Sequence, residues 1–114
     1  MDDWKTDLKT EFLRAARARE RGNEGQARVC ARRAAGIAIR EYFIAEGKRV
    51  PSASAYDLLN LLKEDPHLPP ELGSIVDHLT LRVTEEFKLP VEADLIAEAR
   101  LLCSTLLPGW ETEV

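Results

Sequence analysis

Arginine is the residue type whose number and spacing could do chemistry in this 114-residue chain. Eight of them (Arg14, Arg17, Arg19, Arg21, Arg28, Arg32, Arg33 and Arg40) fall between residues 14 and 40, where the only acids are Glu20 and Glu24 and the local net charge is +6. No lysine interrupts the run. A guanidinium offers a planar fork of donors that matches a phosphate or carboxylate bidentately, so the choice of arginine over lysine is chemically meaningful. At helical spacing Arg14, Arg17 and Arg21 share about one face of a first helix, while Arg28 and Arg32 stand one turn apart on a second, with Arg33 beside them. The two rows flank Gly22, so an antiparallel hairpin brings them to the same end. The spacing predicts that Arg14, Arg17, Arg21, Arg28 and Arg32 contact phosphates or an acidic partner surface, with salt-sensitive affinity. The competing expectation is intramolecular pairing with the acids of the last helices, or an ordinary solvated surface. Few aromatic residues lie near the run, which argues against a dedicated single-strand reader.

Other chemistry is thin. His67 lies in a proline-rich loop and reads as an exposed polar residue. His78 has Asp77 beside it, Glu71 two turns before and Arg82 one turn after, but no further histidine or cysteine at ligand spacing, so neither a metal nor a cofactor is expected. Cys30 and Cys103, 73 positions apart, both fall on apolar helix faces and read as buried structural thiols rather than as a disulfide or a nucleophile. Gly22-Asn23-Glu24-Gly25 lacks the lysine and the preceding strand of a phosphate-binding loop, and reads as a tight helix–helix turn.

The arginines stand against a chain whose total charge is −4, because residues 64–114 carry eleven acids against three basic residues, a net of −8. With 45% hydrophobic and 32% charged residues the composition is globular rather than disordered, and the length predicts one domain over 1–114. No apolar run approaches the roughly 18 residues of a membrane span. Met1-Asp2-Asp3 is acidic where a secretory leader is basic, so a cytoplasmic location is expected.

The elements that must position the arginines follow from helical periodicity. Trp4, Leu8, Phe12, Ala15 and Ala16 mark one face of the first helix, stopped at Gly22-Asn23. The second runs from about Glu24 to Glu46 and is apolar over most of its girth, as a central helix would be. Its stripe Ala27, Ala31, Ala34 and Ala38 admits a close neighbour, and Gly36, costing about 1 kcal/mol of helix propensity, is best explained by close packing. Ser54 with Asp57 resembles a capping box before a short helix, Ala55–Lys63. Pro70 opens a fourth helix carrying Leu72, Ile75, Val76, Leu79, Val83 and Phe87, ended at Leu89-Pro90. A fifth runs from about Val91 to Leu107 with Leu95, Ala99, Leu102, Cys103 and Leu106 inward. No segment alternates as a strand does. The expected fold is all-α, an up-and-down four-helix bundle with one additional short helix.

The stretch from Gly22 to Phe43, with Asn23-Glu24 opening the helix and the Ala31-Arg32-Arg33-Ala34-Ala35-Gly36 run inside it, resembles the second helix of HEPN domains. The Gly47–Pro51 loop, the leucine-rich Asp57-Leu58-Leu59-Asn60-Leu61-Leu62, Pro70-Glu71-Leu72 and the last helix around Ala97-Glu98-Ala99-Arg100-Leu101-Leu102 follow in the same order, so the resemblance spans about residues 8–107. HEPN ribonucleases carry an arginine followed after four to six residues by a histidine, and neither His67 nor His78 has one at that distance. Tyr56-Asp57-Leu58 and Lys88-Leu89-Pro90 stand where many members have a His-Asp-Leu-like and an Arg-Tyr-Pro-like segment. The resemblance therefore implies a non-catalytic, homodimeric helical module that acts beside a minimal nucleotidyltransferase or engages a nucleotide or RNA. Two alternatives remain at this level: a divergent ribonuclease using Arg82, His78 or Glu85, and a purely structural dimerisation bundle.

Overall fold

The first hairpin is made by one glycine. Gly22 adopts φ 76°, which only glycine enters without cost, and this lets its N–H donate to Arg19 O while the Asn23 N–H donates to Ala18 O. Two of the otherwise orphaned carbonyls of α1 (Asp3–Glu20) are thereby satisfied. Asn23 serves twice, because its side chain also accepts from the Gln26 N–H at 3.1 Å and so caps α2 (Glu24–Ala45). α1 and α2 consequently run back against each other with the arginine rows at the hairpin end.

The computed structural model describes residues 3–81 and 93–111. Within them, α3 (Ala55–Lys63), a single 3₁₀ turn (Pro70–Leu72), α4 (Gly73–Thr80) and α5 (Leu95–Leu106) complete an all-α bundle, with no strand among the described residues. α2 is the hub and packs on α1, α3 and α5, while α4 closes against α3 and α5. Ala27, Ala31, Ala34 and Ala38 are all fully buried, so the small stripe is the seam of the bundle. Leu8 and Phe12 of α1, Leu58, Leu59 and Leu62 of α3, and Leu95 and Leu102 of α5 fill the core around it. Trp110, beyond α5, stacks on Phe12 with ring centroids 5.4 Å apart, and its indole N–H donates to Ser104 Oγ at 3.2 Å. Cys30 and Cys103 are buried free thiols, and burial pushes the Cys103 thiol up to about 12. No described helix is long and apolar enough to cross a membrane.

Four expectations need correction. In α1, Ala16 is exposed and Ala18 takes the buried position. α4 ends at Thr80, where Leu81 turns to extended backbone (φ −64°, ψ 141°), ahead of the expected stop at Leu89-Pro90. The Thr80 hydroxyl folds back onto Val76 O and Asp77 O, and Arg32 of α2 binds the carbonyls of Leu79 and Leu81, so the helix end is capped from outside. Val83, Phe87, Leu89-Pro90 and Val91 lie outside the described residues. α5 begins at Leu95, with Ala93 and Asp94 non-helical, because Asp94 accepts from the Ala97 N–H at 3.2 Å and acts as its N-cap. The capping box of α3 is only half made: Ser54 Oγ accepts from the Asp57 N–H at 3.3 Å, but the shorter Asp57 side chain accepts from Ser52 Oγ at 2.9 Å instead of reaching back to the Ser54 N–H. Ser52 Oγ takes that N–H at 3.1 Å.

α3 comes to α2 by a close approach at Gly36. A Cβ built there would lie 2.8 Å from Ala55 Cβ and 3.0 Å from Ala55 Cα. Gly36→Ala should therefore lower stability by about 1–2 kcal/mol despite the better helix propensity of alanine, because the obstacle is backbone that must move. Urea unfolding checks this, and an unchanged or higher midpoint would show that α3 yields freely.

Candidate functional site

The arginines of α1 and α2 divide into those that hold the fold and those that do not. Arg19 is structural: Nε and Nη2 form a bidentate pair with Glu24 at 2.9 and 2.7 Å, and Nη1 donates to Asp94 Oδ1 at 2.9 Å. One side chain thus ties the end of α1 to the first turn of α2 and the cap of α5. The Arg19 hydrogen bond, opposed by partial burial, holds the Glu24 carboxyl below its ordinary range. For Asp94, burial acts upward but is outweighed by the Ala97 N–H and the Arg19 guanidinium, so that carboxyl is also held low.

Arg32 is half-buried and donates from Nε to Leu79 O at 2.7 Å and from Nη2 to Leu81 O at 3.3 Å. A cation at the C-terminal end of a helix meets the negative end of its dipole, so the placement is favourable for α4. Both acceptors are neutral, however, and no carboxylate pairs with this guanidinium among the described residues. Burial accordingly pushes its pKa down.

Of the five arginines that spacing singles out, Arg32 is the one in the lining of the cleft beside α3. The cleft holds about 510 Å³ between α2 and the start of α3, and its lining includes Arg33 and Arg40, which the sequence pattern placed in the basic run but not in the site. Glu11 of α1 also lines the cleft, and it is the only acidic residue among its lining. Glu11 Oε2 is 3.7 Å from Arg14 Nη1, whereas Oε1 is buried and has no hydrogen-bond donor among the described residues. Such an orphaned acceptor costs about 1–3 kcal/mol of desolvation. Val29, Ile37 and Leu58 form apolar wall, and the half-exposed ring of Tyr56 borders the opening. α3 lands on Gly36 between Arg32 and Arg33, one turn before, and Arg40, one turn after, so the glycine contact sets the cleft's shape.

The remaining members lie elsewhere. Arg14 is exposed on α1, and Arg17 and Arg21 are exposed toward the hairpin end, the last two without an ion pair among the described residues. Arg28 is half-buried one turn before Arg32, and its charge adds to the field on Glu24. The linear pattern could have flagged Arg40 from its four-residue step along Arg28, Arg32 and Gly36. It could not flag Glu11, whose role depends on how α1 packs.

Several acids of the second half pair outside the basic run. His78 Nδ1 is 2.7 Å from Glu98 Oε1, linking α4 to α5, and Lys63 is 3.3 Å from Asp77. Asp65 is buried, accepting from the His67 N–H at 2.9 Å and lying 3.4 Å from both Lys48 Nζ and the Tyr42 hydroxyl. Arg100 pairs with Glu111 at 3.2 Å and lies over the Phe12 ring at 4.6 Å. Arg19 with Asp94 is the one long-range pair that joins the basic run to the acidic half among the described residues.

The fold and cleft together define a class, a small all-α bundle with a basic cleft on its central helix. No protein-family model, curated protein or solved structure matches the chain.

Two outcomes follow from this geometry. Arg32→Met removes the external cap of α4 and should cost about 1–3 kcal/mol, read as a lower urea midpoint with faster amide exchange at Leu81. An unchanged midpoint and exchange rate would mean that the carbonyls do not need the guanidinium. The depressed carboxyls of Glu24 and Asp94 contribute stability that is complete above the ordinary carboxylate pKa and is lost as pH falls through it toward their lower folded values. Thermal stability should thus decline between about pH 5 and pH 3. In Arg19→Gln that decline should be shallower, and an identical slope would deny Arg19 the role of organiser.

Proposed function

We propose that this chain is a non-catalytic, HEPN-like helical module that works as a homodimer and binds an anionic partner through the α2 part of the basic run, with the α1 arginines on the open surface beside it. The partner is the phosphate of a nucleotide or RNA, or the acidic face of a companion protein such as a minimal nucleotidyltransferase. The observation that carries the reading is the cleft beside α3, whose lining holds three arginines and a single carboxylate. Clefts of several hundred Å³ with a few convergent charged groups are the usual form of a ligand site, and unpaired arginines supply both attraction and bidentate geometry. The resemblance to HEPN domains along residues 8–107 supplies the expectation of dimerisation and of a nucleotide-related context.

A second reading has one observation in its favour. Glu98 holds Nδ1 of His78, the arrangement that orients an imidazole for proton transfer. In a divergent ribonuclease His78 would act with Arg82 or Glu85, both of which lie outside the described residues. RNA cleavage without added metal, abolished by His78→Ala, would favour this reading over the binding module.

The binding reading is tested with charge reversal away from the arginines that hold the fold. Arg33→Glu combined with Arg40→Glu should weaken binding of a short single-stranded RNA by about tenfold or more at low salt and reduce the salt dependence, with helicity unchanged. Equal binding by the variant and the parent would remove the cleft from the function.

A further inference from the structure

Four observations at the cleft constrain its occupant more narrowly than its charge does. The site is concave and holds about 510 Å³, so a ligand can be enclosed on several sides. Arg32 contributes a half-buried charge balanced only by neutral carbonyls, and its Nη1 makes no hydrogen bond among the described residues. Glu11 Oε1 is a buried acceptor without a donor. Ile37 and Leu58 add apolar lining to the same cleft, together with the half-exposed Tyr56.

Each demand specifies one part of a molecule. The desolvated Arg32 guanidinium, with Arg33 and Arg40 on the same helix, asks for a compact group of high negative charge with several acceptor oxygens. A phosphate dianion meets this better than a single carboxylate, which has two oxygens and one charge. Glu11 asks for a hydroxyl or amino donor. The apolar lining asks for a carbon body attached to both. A polyanionic strand crossing the cleft mouth would satisfy the exposed arginines but would leave the buried Glu11 oxygen unpaired.

We propose that the cleft between α2 and α3 is a binding site for a small phosphomonoester, with the phosphate on Arg32, Arg33 and Arg40 and a hydroxyl or amino group of the body donating to Glu11. This rests on the anion-binding reading and narrows it to a small molecule. Arg32 can bind through Nη1 while keeping Nε and Nη2 on the α4 carbonyls, so occupancy neutralises its charge without freeing the helix end. Ligand binding therefore stabilises the folded chain, by mass action and through the same side chain.

Calorimetric titration of the whole chain with inorganic phosphate, ribose phosphate and adenosine monophosphate tests this, alongside a short RNA without terminal phosphates. At least one of the two esters should bind about tenfold or more tightly than inorganic phosphate, the surplus coming from the body and the Glu11 contact. Arg33→Gln with Arg40→Gln should lose about tenfold or more in ester affinity, and Glu11→Leu should erase the advantage of ester over phosphate. Retained helicity and thermal unfolding of each variant guard against simple misfolding. Should Glu11→Leu fail to fold, Glu11→Gln replaces it and should reduce that advantage. Neither ester exceeding phosphate, or esters bound equally by the arginine variant, overturns the proposal. If RNA binding still depends on Arg33 and Arg40 in that case, the broader reading survives; if no anion binds, both fall.

Discussion

The close contact between α2 and α3 at Gly36 is the constraint on which the rest of the molecule depends. A helix that meets its neighbour with no Cβ in between can be crossed at the backbone, and Ala55 uses that space. The crossing fixes where α3 starts, and α3 carries Leu58, Leu59 and Leu62 into the core against α2. It also divides the basic row of α2, leaving Arg32 and Arg33 on one side of the landing point and Arg40 on the other. The cleft is the space left beside that landing point.

The arginines themselves illustrate how one residue type is allocated by context. Arg19 meets two carboxylates and becomes a clamp between three helices, whereas Arg32 meets two carbonyls and becomes a cap. Surface pairs of the first kind are individually weak, but Arg19 gains from its bidentate fork and from sharing Asp94 with the cap of α5. Arg32 is different because it leaves a positive charge partly desolvated. That imbalance and the buried oxygen of Glu11 each leave a polar group incompletely served. Both line the same cleft, and this coincidence is what favours a ligand over a merely basic surface.

Much of the architecture is legible in the order of residues. The wide apolar girth of α2 marked it as the hub, the propensity cost of Gly36 marked a packing glycine, and the left-handed tolerance of Gly22-Asn23 marked the hairpin, since each depends on neighbours within a few positions. The failures share a cause in contacts between distant segments. α4 ends where Arg32, 47 residues before Leu79, donates to its carbonyl, and no local periodicity contains that contact. The start of α5 was locally available in Asp94, but the apolar Val91 and the preceding proline pulled the expected boundary forward. The candidate site shows the same division: the arginine run was visible, yet which members line the cleft depends on the α3 crossing, which brings in Arg33 and Arg40 and leaves Arg14, Arg17 and Arg21 on the open surface. The HEPN-like order of elements remains a resemblance that orients the functional proposal.

The central claim is that anions are received in the cleft beside Gly36 and not on the arginine-rich hairpin end. Backbone amide chemical shifts of the isotope-labelled chain, followed during titration with adenosine monophosphate at low salt, test it most directly. The account predicts saturable shifts concentrated in residues 32–40 and 53–58, with a smaller response at Glu11. Shifts centred on residues 14–21 and 28, with residues 36–40 and 53–58 silent, would contradict it.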